Sequence, residues 1–215
     1  MKKTLKDKFS DKLVDAFLKG KIISALPVKF TKKLAEADKF RKLCEGKIKE
    51  PIIGYKAGGT GIPLLKKLKE KEPFYASIFK RNFLKSGQRV KINKSTFGIE
   101  LEVCYLIKKS FFSTKATITN KNVSKFISHM APCIEVVGYR QKKKGIKSFG
   151  DLSSDFGANV KFLIGKKKKY KKIDIGNLKT NISNKKIKQS VTGNTNSVYI
   201  NPLNSLRFIL KKVKK

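Results

Sequence analysis

Apolar residues recur at helical spacing through the first fifty residues of the chain. Leu5, Phe9, Leu13 and Phe17 stand four residues apart, which places them on one face of a helix. Gly20 follows this run and provides a natural end to the helix. A second apolar run, Leu34, Ala37, Phe40 and Leu43, has a spacing of three residues, which also fits one side of a helix, and it stops before Gly46. Residues 1–50 are therefore predicted to form a helical N-terminal lead-in.

After Pro51 the pattern changes to short β-branched and aromatic runs separated by Gly, Asn, Ser and Lys. The segment PIIGYKAGGTG, residues 51–61, predicts a short strand that continues into a glycine-rich turn. Further strands are predicted near residues 75–79, 89–92, 99–107, 116–119, 134–139, 160–164, 182–187 and 197–200. Helical spacing predicts short helices over 60–70, 121–130 and 202–213. The expected fold class is α+β, with helices first and a mostly antiparallel sheet after them. Residues 51–215 are expected to form a single β-rich domain.

Composition is typical of a single folded domain of 215 residues with no membrane span. No run of about 18 apolar residues occurs, and the N-terminal lysines are not followed by an apolar stretch of the signal-peptide type. The three cysteines are widely spaced and form no zinc pattern, so we expect reduced, buried thiols and a cytoplasmic protein. The single histidine, His129, is too little for a histidine-based metal centre and is interpreted as structural.

The formal net charge of +37 arises from 52 basic and 15 acidic residues. Only five of the basic residues are arginines, which are the side chains that recognise bases and phosphates by paired hydrogen bonds. The lysines are spread along the chain, with denser patches at 142–144, 166–172 and 211–215. Three interpretations stay open: compositional drift with solvated lysines, attraction of a small anionic substrate, and binding to nucleic acid or an anionic membrane. We favour the first and expect no specific nucleic-acid partner.

Two glutamates stand close together in the segment of the sequence that is most typical of a strand. Glu100 and Glu102 are two residues apart, so on a strand both side chains point to the same face. Glu135 lies in a second apolar strand, between Ile134 and Val136. Such carboxylates are costly to bury unless a cation neutralises them, and oxygen ligands suit Mg²⁺ or Mn²⁺. The alternative is that each glutamate meets a lysine at the surface. Spacing alone does not choose between the two.

The segment GYKAGGTG, residues 54–61, forms a glycine-rich turn that does not match the GxxxxGK[ST] phosphate-binding pattern. Its glycines allow the backbone to approach a ligand, or simply allow the chain to turn. Lys56 within it is one lysine among 47 and carries no signal by itself.

Six segments follow one another along the chain: IIGYKAGGT, EPFYASIF, GIELEVCYLI, APCIEVVGYR, DLSSDFGANVKFLIG and NPLNSLRFIL. Taken in this order, they resemble the 2-keto-4-pentenoate hydratase family. That family includes 2-oxo-hepta-3-ene-1,7-dioate hydratases and 4-oxalocrotonate decarboxylases, and it belongs to the fumarylacetoacetase superfamily. The resemblance extends from about residue 31 to 212 and implies a rolled mixed β-sheet with flanking helices.

The resemblance also implies site residues. Glu100, Glu102 and Glu135 match the three acidic residues that bind one Mg²⁺ or Mn²⁺ in the family. Lys56 matches the lysine beside the oxo-acid head of the substrate, in a turn shaped by Gly54 and Gly58. Substrate-binding roles are likewise implied for Gly58, Arg140 and Asp155.

The function that the resemblance implies is a metal-dependent lyase acting on a short unsaturated 2-oxo acid. Hydration and decarboxylation both require stabilisation of an enolate, so the sequence does not separate a hydratase from a decarboxylase. An aromatic-catabolic role, an anionic 2-oxo acid as substrate and self-association into a homo-oligomer are expected with it. An acylpyruvate hydrolase is a further alternative, weakened because no histidine precedes His129.

Two departures from the family pattern concern the substrate pocket and the end of the chain. Phe156 replaces an asparagine, and Ala158 stands where a small hydroxyl residue is common. The family's segment of the L-x-x-G-D-x-V-x-T-G type and its final strands have no counterpart before Lys215. We therefore keep as an alternative a shortened, non-catalytic homologue or a partner subunit of the same fold.

Overall fold

A computed structural model describes residues 3–92, 96–142, 146–171, 173–199 and 201–214. Its helices are α1 Leu5–Lys19, α2 Leu34–Gly46, α3 Ile62–Leu68, α4 Ser110–Ser113, α5 Phe149–Ser153 and α6 Pro202–Val213. Its strands are β1 Ile52–Gly58, β2 Phe74–Phe79, β3 Phe83–Leu84, β4 Thr96–Ile107, β5 Ile127–Gly138, β6 Asn159–Ile164, β7 Lys168–Lys169, β8 Lys179–Asn184 and β9 Gln189–Asn194. None of the helices in the described ranges is both long enough and apolar enough to cross a bilayer.

Four strands follow one another in a mixed sheet in the order β3, β6, β5, β4, and β7 pairs with β5. The β3–β6 pair is parallel and the β5–β7 pair is antiparallel. Two further antiparallel pairs, β1–β2 and β8–β9, are separate from this sheet within the described residues. The α+β class with a mixed sheet and flanking helices, expected from the pattern and the resemblance, is confirmed.

The chain divides into two compact units. The first contains residues 1–58, 74–100 and 135–163, and the second contains 59–73, 101–134 and 164–215. The division falls inside β4, β5 and β6, so each of these strands contributes residues to both units. The separation of a lead-in over 1–50 from a domain over 51–215 stays a prediction.

In the first unit, the apolar face of α1 packs with α2 in one aromatic-rich core. Thr4 caps α1 by accepting a hydrogen bond from the backbone of Asp7 while the Asp7 carboxylate accepts one in return, and Gly20 ends the helix at φ +65°. The core contains Leu13, Val14, Phe17, Leu26, Phe30, Phe40, Cys44, Ile48, Phe79 and Phe156. Of the apolar face predicted for the first helix, Leu13 and Phe17 are buried in this core, Phe9 packs against it and Leu5 is 49% exposed.

In the second unit, α6 packs on the segment that precedes β5. Asn201 caps α6 through its side-chain oxygen, which accepts a hydrogen bond from Leu203 N at 2.9 Å, and Pro202 begins the helix. The core of this unit is formed by Phe111, Ile118, Val123, Phe126, Ile127, Leu206 and Leu210.

Five secondary-structure predictions are wrong, and one of them is the strand over 182–187, which in the structure is the end of β8 and the hairpin turn that follows it. Residues 89–92 are irregular because they have no buried face, and Ile92 is 70% exposed. Residues 116–119 are also irregular, because the Asn122 side chain binds the backbone at Thr117 and Thr119 and so replaces strand pairing. The helix expected over 121–130 is a 3₁₀ turn at Val123–Phe126 followed by β5.

The predicted strand at 197–200 is a 3₁₀ turn up to Ser197, followed by a bridge from Val198 to Gly61, and Ile200 lies outside the described residues. Part of the lysine-rich patches also lies outside them, namely residues 143, 144, 172 and 215.

We expect Phe40→Ala to lower the free energy of unfolding by about 3–5 kcal/mol, because Phe40 is fully buried and stacks on Phe30 with ring centroids 5.0 Å apart. Phe112→Ala is the matched control. Phe112 is 79% exposed, so its loss should change the free energy by less than about 0.5 kcal/mol. Urea denaturation measures both, and equal losses would contradict the assignment of this core.

Candidate metal centre

Neighbouring strands bring together the three glutamates singled out in the sequence. One carboxylate oxygen from each of Glu100, Glu102 and Glu135 lies within 4.8 Å of the other two. The period of two along β4 places its two glutamates on one face, and β5 is the adjacent strand. Glu100 is exposed, Glu102 is half-buried and Glu135 is fully buried. The cluster therefore extends from the interior to the surface.

The Lys56 ammonium is the partner of the buried Glu135 carboxylate. It lies on β1, where its backbone pairs with Ala76 of β2, and its side chain is only 8% exposed. Its Nζ donates a hydrogen bond of 2.6 Å to Glu135 Oε1. Asn159 Nδ2 donates to the same oxygen at 3.2 Å. The other oxygen, Glu135 Oε2, is buried and accepts no hydrogen bond from the part of the chain that the structure describes.

Burial raises the pKa of Glu135 above its ordinary value. The Lys56 ammonium and its hydrogen bond act in the opposite direction and favour the ionised form. The Glu100 carboxylate adds a repulsion that raises this pKa further. A second cation near the three carboxylates would relieve the cost of both burial and repulsion.

The donor set fits a hard divalent cation. Three carboxylates supply only oxygen ligands, which Mg²⁺, Mn²⁺ and Ca²⁺ prefer. Two oxygens bound to one Mg²⁺ at about 2.1 Å can stand no more than about 4.2 Å apart, and for Ca²⁺ the limit is about 5 Å. The three carboxylate oxygens lie within 4.8 Å of one another, so small side-chain movements are enough for all three to bind one ion. Glu135 Oε2 supplies a buried oxygen with a free lone pair.

A left-handed turn lies against Lys56. Phe156, Gly157 and Ala158 all have positive φ, at 52°, 68° and 57°. The Gly157 carbonyl accepts a hydrogen bond of 3.2 Å from Lys56 Nζ. A Cβ at Gly157 would lie 2.6 Å from the Ala76 Cβ, so no side chain fits at this point of the turn.

Gly58 has no room for a side chain, whereas Gly54 does. A Cβ at Gly58 would lie 2.2 Å from the Phe74 ring, so the absence of a side chain there lets the ring pack against β1. A Cβ at Gly54 would make an ordinary contact of 3.8 Å with Ile78. The substrate contact expected of Gly58 stays a prediction.

Arg140 and Asp155 form a buried ion pair with each other. Arg140 Nη1 lies 3.1 Å from Asp155 Oδ1, and the two side chains are 9% and 0% exposed. The Arg140 backbone N–H also donates to Asp155 Oδ2 at 2.8 Å. The structure thus gives both residues internal partners, while their contact with substrate stays a prediction.

Sequence reasoning missed Asn159 and the Gly157 carbonyl. The amide of Asn159 holds the buried glutamate, but its position at the start of β6 carries no spacing signal. Gly157 functions through its backbone oxygen, which any residue type possesses. The one available signal was the unusual segment SDFGAN, whose glycine marks a turn.

The three cysteines and His129 do not belong to the carboxylate cluster. Burial raises the pKa of the Cys44 thiol to about 12 and also raises the pKa of Cys104, which disfavours the reactive thiolates. Cys44, Cys104 and Cys133 form no disulfide. His129 is exposed on β5 opposite Lys169.

Solved structures of a decarboxylase share the fold of this chain. One is 4-oxalocrotonate decarboxylase from Pseudomonas putida G7 complexed with magnesium and adipate, with a TM-score of 0.75, 17% identity, and coverage of 95% of this chain and 79% of that chain. A second, of the same decarboxylase with calcium and acetate, has a TM-score of 0.73, 17% identity, and coverage of 96% and 79%. No family model and no curated protein matches the sequence. At this identity the similarity establishes the fold, and it agrees with the resemblance seen in the sequence motifs.

We expect Lys56→Met to destabilise the metal-free protein by about 3–5 kcal/mol at pH 8, because it leaves Glu135 as a buried charge without its cation. The substitution raises the pKa of Glu135 further in the folded state only. A carboxyl whose folded pKa exceeds its unfolded pKa loses stability as pH rises through that interval. The loss should therefore shrink towards pH 5, as urea denaturation at both pH values in EDTA would show.

Lys212→Met is the matched control. Lys212 pairs with Glu72 at 2.7 Å on the surface, where such a pair contributes about 0–1 kcal/mol. A loss for Lys56→Met that is equally small, or that is the same at pH 5 and pH 8, would count against the buried ion pair.

Proposed function

We propose that the chain is a divalent-metal-dependent lyase that acts on a short unsaturated 2-oxo acid. The observation that carries the proposal is the convergence of Glu100, Glu102 and Glu135, with Glu135 Oε2 buried and without a hydrogen bond from the described residues. The shared fold with a decarboxylase solved in complex with magnesium supports the same conclusion.

Glu100, Glu102 and Glu135 would hold the metal ion from one side. When bound, Mg²⁺ or Mn²⁺ supplies Lewis-acid polarisation of the carboxylate and 2-oxo oxygens of the substrate. The exposure of Glu100 leaves the outer side of the cluster open to solvent and therefore to a ligand. Asn159 fixes the orientation of the Glu135 carboxylate by donating to Oε1, which leaves Oε2 for the ion.

Lys56 would supply positive charge and a proton beside the reacting atoms. Its Nζ carries three hydrogens, of which one is directed to Glu135 Oε1 and one to the Gly157 carbonyl. Negative charge that develops on the 2-oxo oxygen of the substrate is stabilised by this ammonium, which is already desolvated and held in place. The same group can transfer a proton to the substrate carbon when the enolate collapses.

Hydration and decarboxylation remain two forms of this proposal, because both require stabilisation of an enolate. The fold neighbours favour the decarboxylase. A decarboxylase substrate of this type has two carboxylates, and the net charge of +37 would attract a dianion. Self-association of the chain is proposed with the function, as the sequence resemblance implies.

We expect Mg²⁺ or Mn²⁺ at about 100 times its dissociation constant to stabilise the protein by about 2.7 kcal/mol, because the ion binds the folded state. This stabilisation is measured as a rise in melting temperature when the metal is added. Glu102→Gln removes one charged ligand and should abolish most of that rise. Decarboxylation of 4-oxalocrotonate and hydration of 2-hydroxypenta-2,4-dienoate should both be assayed, with activity lost in EDTA and in this variant.

Glu72→Gln provides the control, since Glu72 is an exposed glutamate paired with Lys212 at 2.7 Å. It should keep both the metal-induced shift and the activity. A protein that folds but shows no thermal shift with either metal would overturn the proposal. Metal binding without turnover of either substrate would instead favour the non-catalytic homologue.

A further inference from the structure

The left-handed turn at residues 156–158 needs an external constraint. Two of its three residues carry a Cβ, and the left-handed conformation is unfavourable for such residues. The turn is closed internally by two hydrogen bonds, from Ala158 N to Asp155 O at 2.9 Å and from Asn159 N to Phe156 O. The same bonds are available in ordinary right-handed turns, so they do not select this conformation.

One side chain, that of Arg140, binds both ends of the turn. Its Nη1 donates to Asp155 O at 3.2 Å and to Asp155 Oδ1 at 3.1 Å. Its Nη2 donates to Asn159 O. The guanidinium thus connects the residue before the turn with the residue after it, and its planar shape allows both contacts at once.

Aromatic rings and a second polar side chain hold the guanidinium in this position. Arg140 Cζ lies 5.0 Å from the centroid of the Phe17 ring and 5.4 Å from that of Phe156. Gln141 Nε2 donates to Asp155 Oδ2, and its Oε1 accepts a hydrogen bond from Leu26 N at 2.9 Å. The N-terminal segment thereby supports the Arg140–Asp155 pair.

This left-handed turn also positions two groups of the metal centre, the Lys56 ammonium and the Glu135 carboxylate. Gly157 O accepts from Lys56 Nζ, and Asn159 Nδ2 donates to Glu135 Oε1. A change in the backbone at 156–159 would therefore displace both partners of the Lys56–Glu135 pair together.

We propose that Arg140, paired with Asp155, is a positioning residue that stabilises the left-handed turn and through it orients Lys56 and Glu135. This differs from the substrate-binding role that the sequence resemblance implies for Arg140. The consequence for metal affinity rests on the proposed function, whereas the effect on the turn does not.

Arg140→Lys separates the two roles, because lysine keeps the charge but cannot bind both ends of the turn. We expect the dissociation constant for Mn²⁺, measured without substrate, to rise by about 10-fold or more, as for losses in the second coordination shell. Hydrogen exchange at the amides of residues 156–159, measured without metal, should become faster.

Ala158→Gly in the Arg140→Lys background is the decisive variant. Glycine adopts positive φ without penalty, so it should slow the exchange again and recover most of the lost Mn²⁺ affinity. Arg41→Lys is the control, because Arg41 is also fully buried and ion-paired but belongs to α2. It should destabilise the protein without changing Mn²⁺ affinity or exchange at the turn.

Each outcome bears on one of the two proposals. Unchanged turn exchange and Mn²⁺ affinity in Arg140→Lys, with only the KM for substrate raised, would overturn the positioning role in favour of direct substrate binding. A failure of Ala158→Gly to restore the turn would also overturn it. Absence of Mn²⁺ binding in the unsubstituted protein counts against the proposed function alone, since exchange at the turn still reports on Arg140. If Arg140→Lys does not fold, Asp155→Asn weakens the same pair and should give the same changes.

Discussion

Burial of the Glu135 carboxylate is the constraint on which the rest of this site depends. A fully buried carboxylate needs a compensating cation and hydrogen-bond donors, and β1 supplies the cation through Lys56 while β6 supplies a donor through Asn159. These partners occupy only one of its two oxygens. The other is buried and accepts no hydrogen bond from the described residues, while one oxygen of this carboxylate lies within 4.8 Å of oxygens of Glu100 and Glu102.

The groups around this carboxylate are held in place by contacts between segments that are far apart in the sequence. Lys56 depends on the turn after Asp155, and that turn depends on Arg140, which packs against Phe17 of α1. The helical N-terminus is therefore part of the support of the site. It contributes no ligand, but its apolar face covers the guanidinium that binds both ends of the turn.

The sequence predicts those features that follow from local periodicity. The four-residue spacing from Leu5 to Phe17 predicts α1, and the two-residue spacing of Glu100 and Glu102 places them on one face of β4. Periodicity fails at residues 116–119, where an asparagine side chain replaces strand pairing. Lys56 could be selected only by family resemblance, because it is one of 47 lysines. Asn159, the Gly157 carbonyl and the internal pairing of Arg140 could not be predicted, because they arise from a left-handed backbone and long-range contacts that leave no periodic signal.

The most direct test of the central claim is to locate Mn²⁺ in crystals of the protein by anomalous diffraction. The account predicts one strong peak bounded by carboxylate oxygens of Glu100, Glu102 and Glu135, with Glu135 Oε2 among the ligands and Lys56 still beside Oε1. A peak elsewhere on the protein, or no peak between the three glutamates at saturating Mn²⁺, would contradict it.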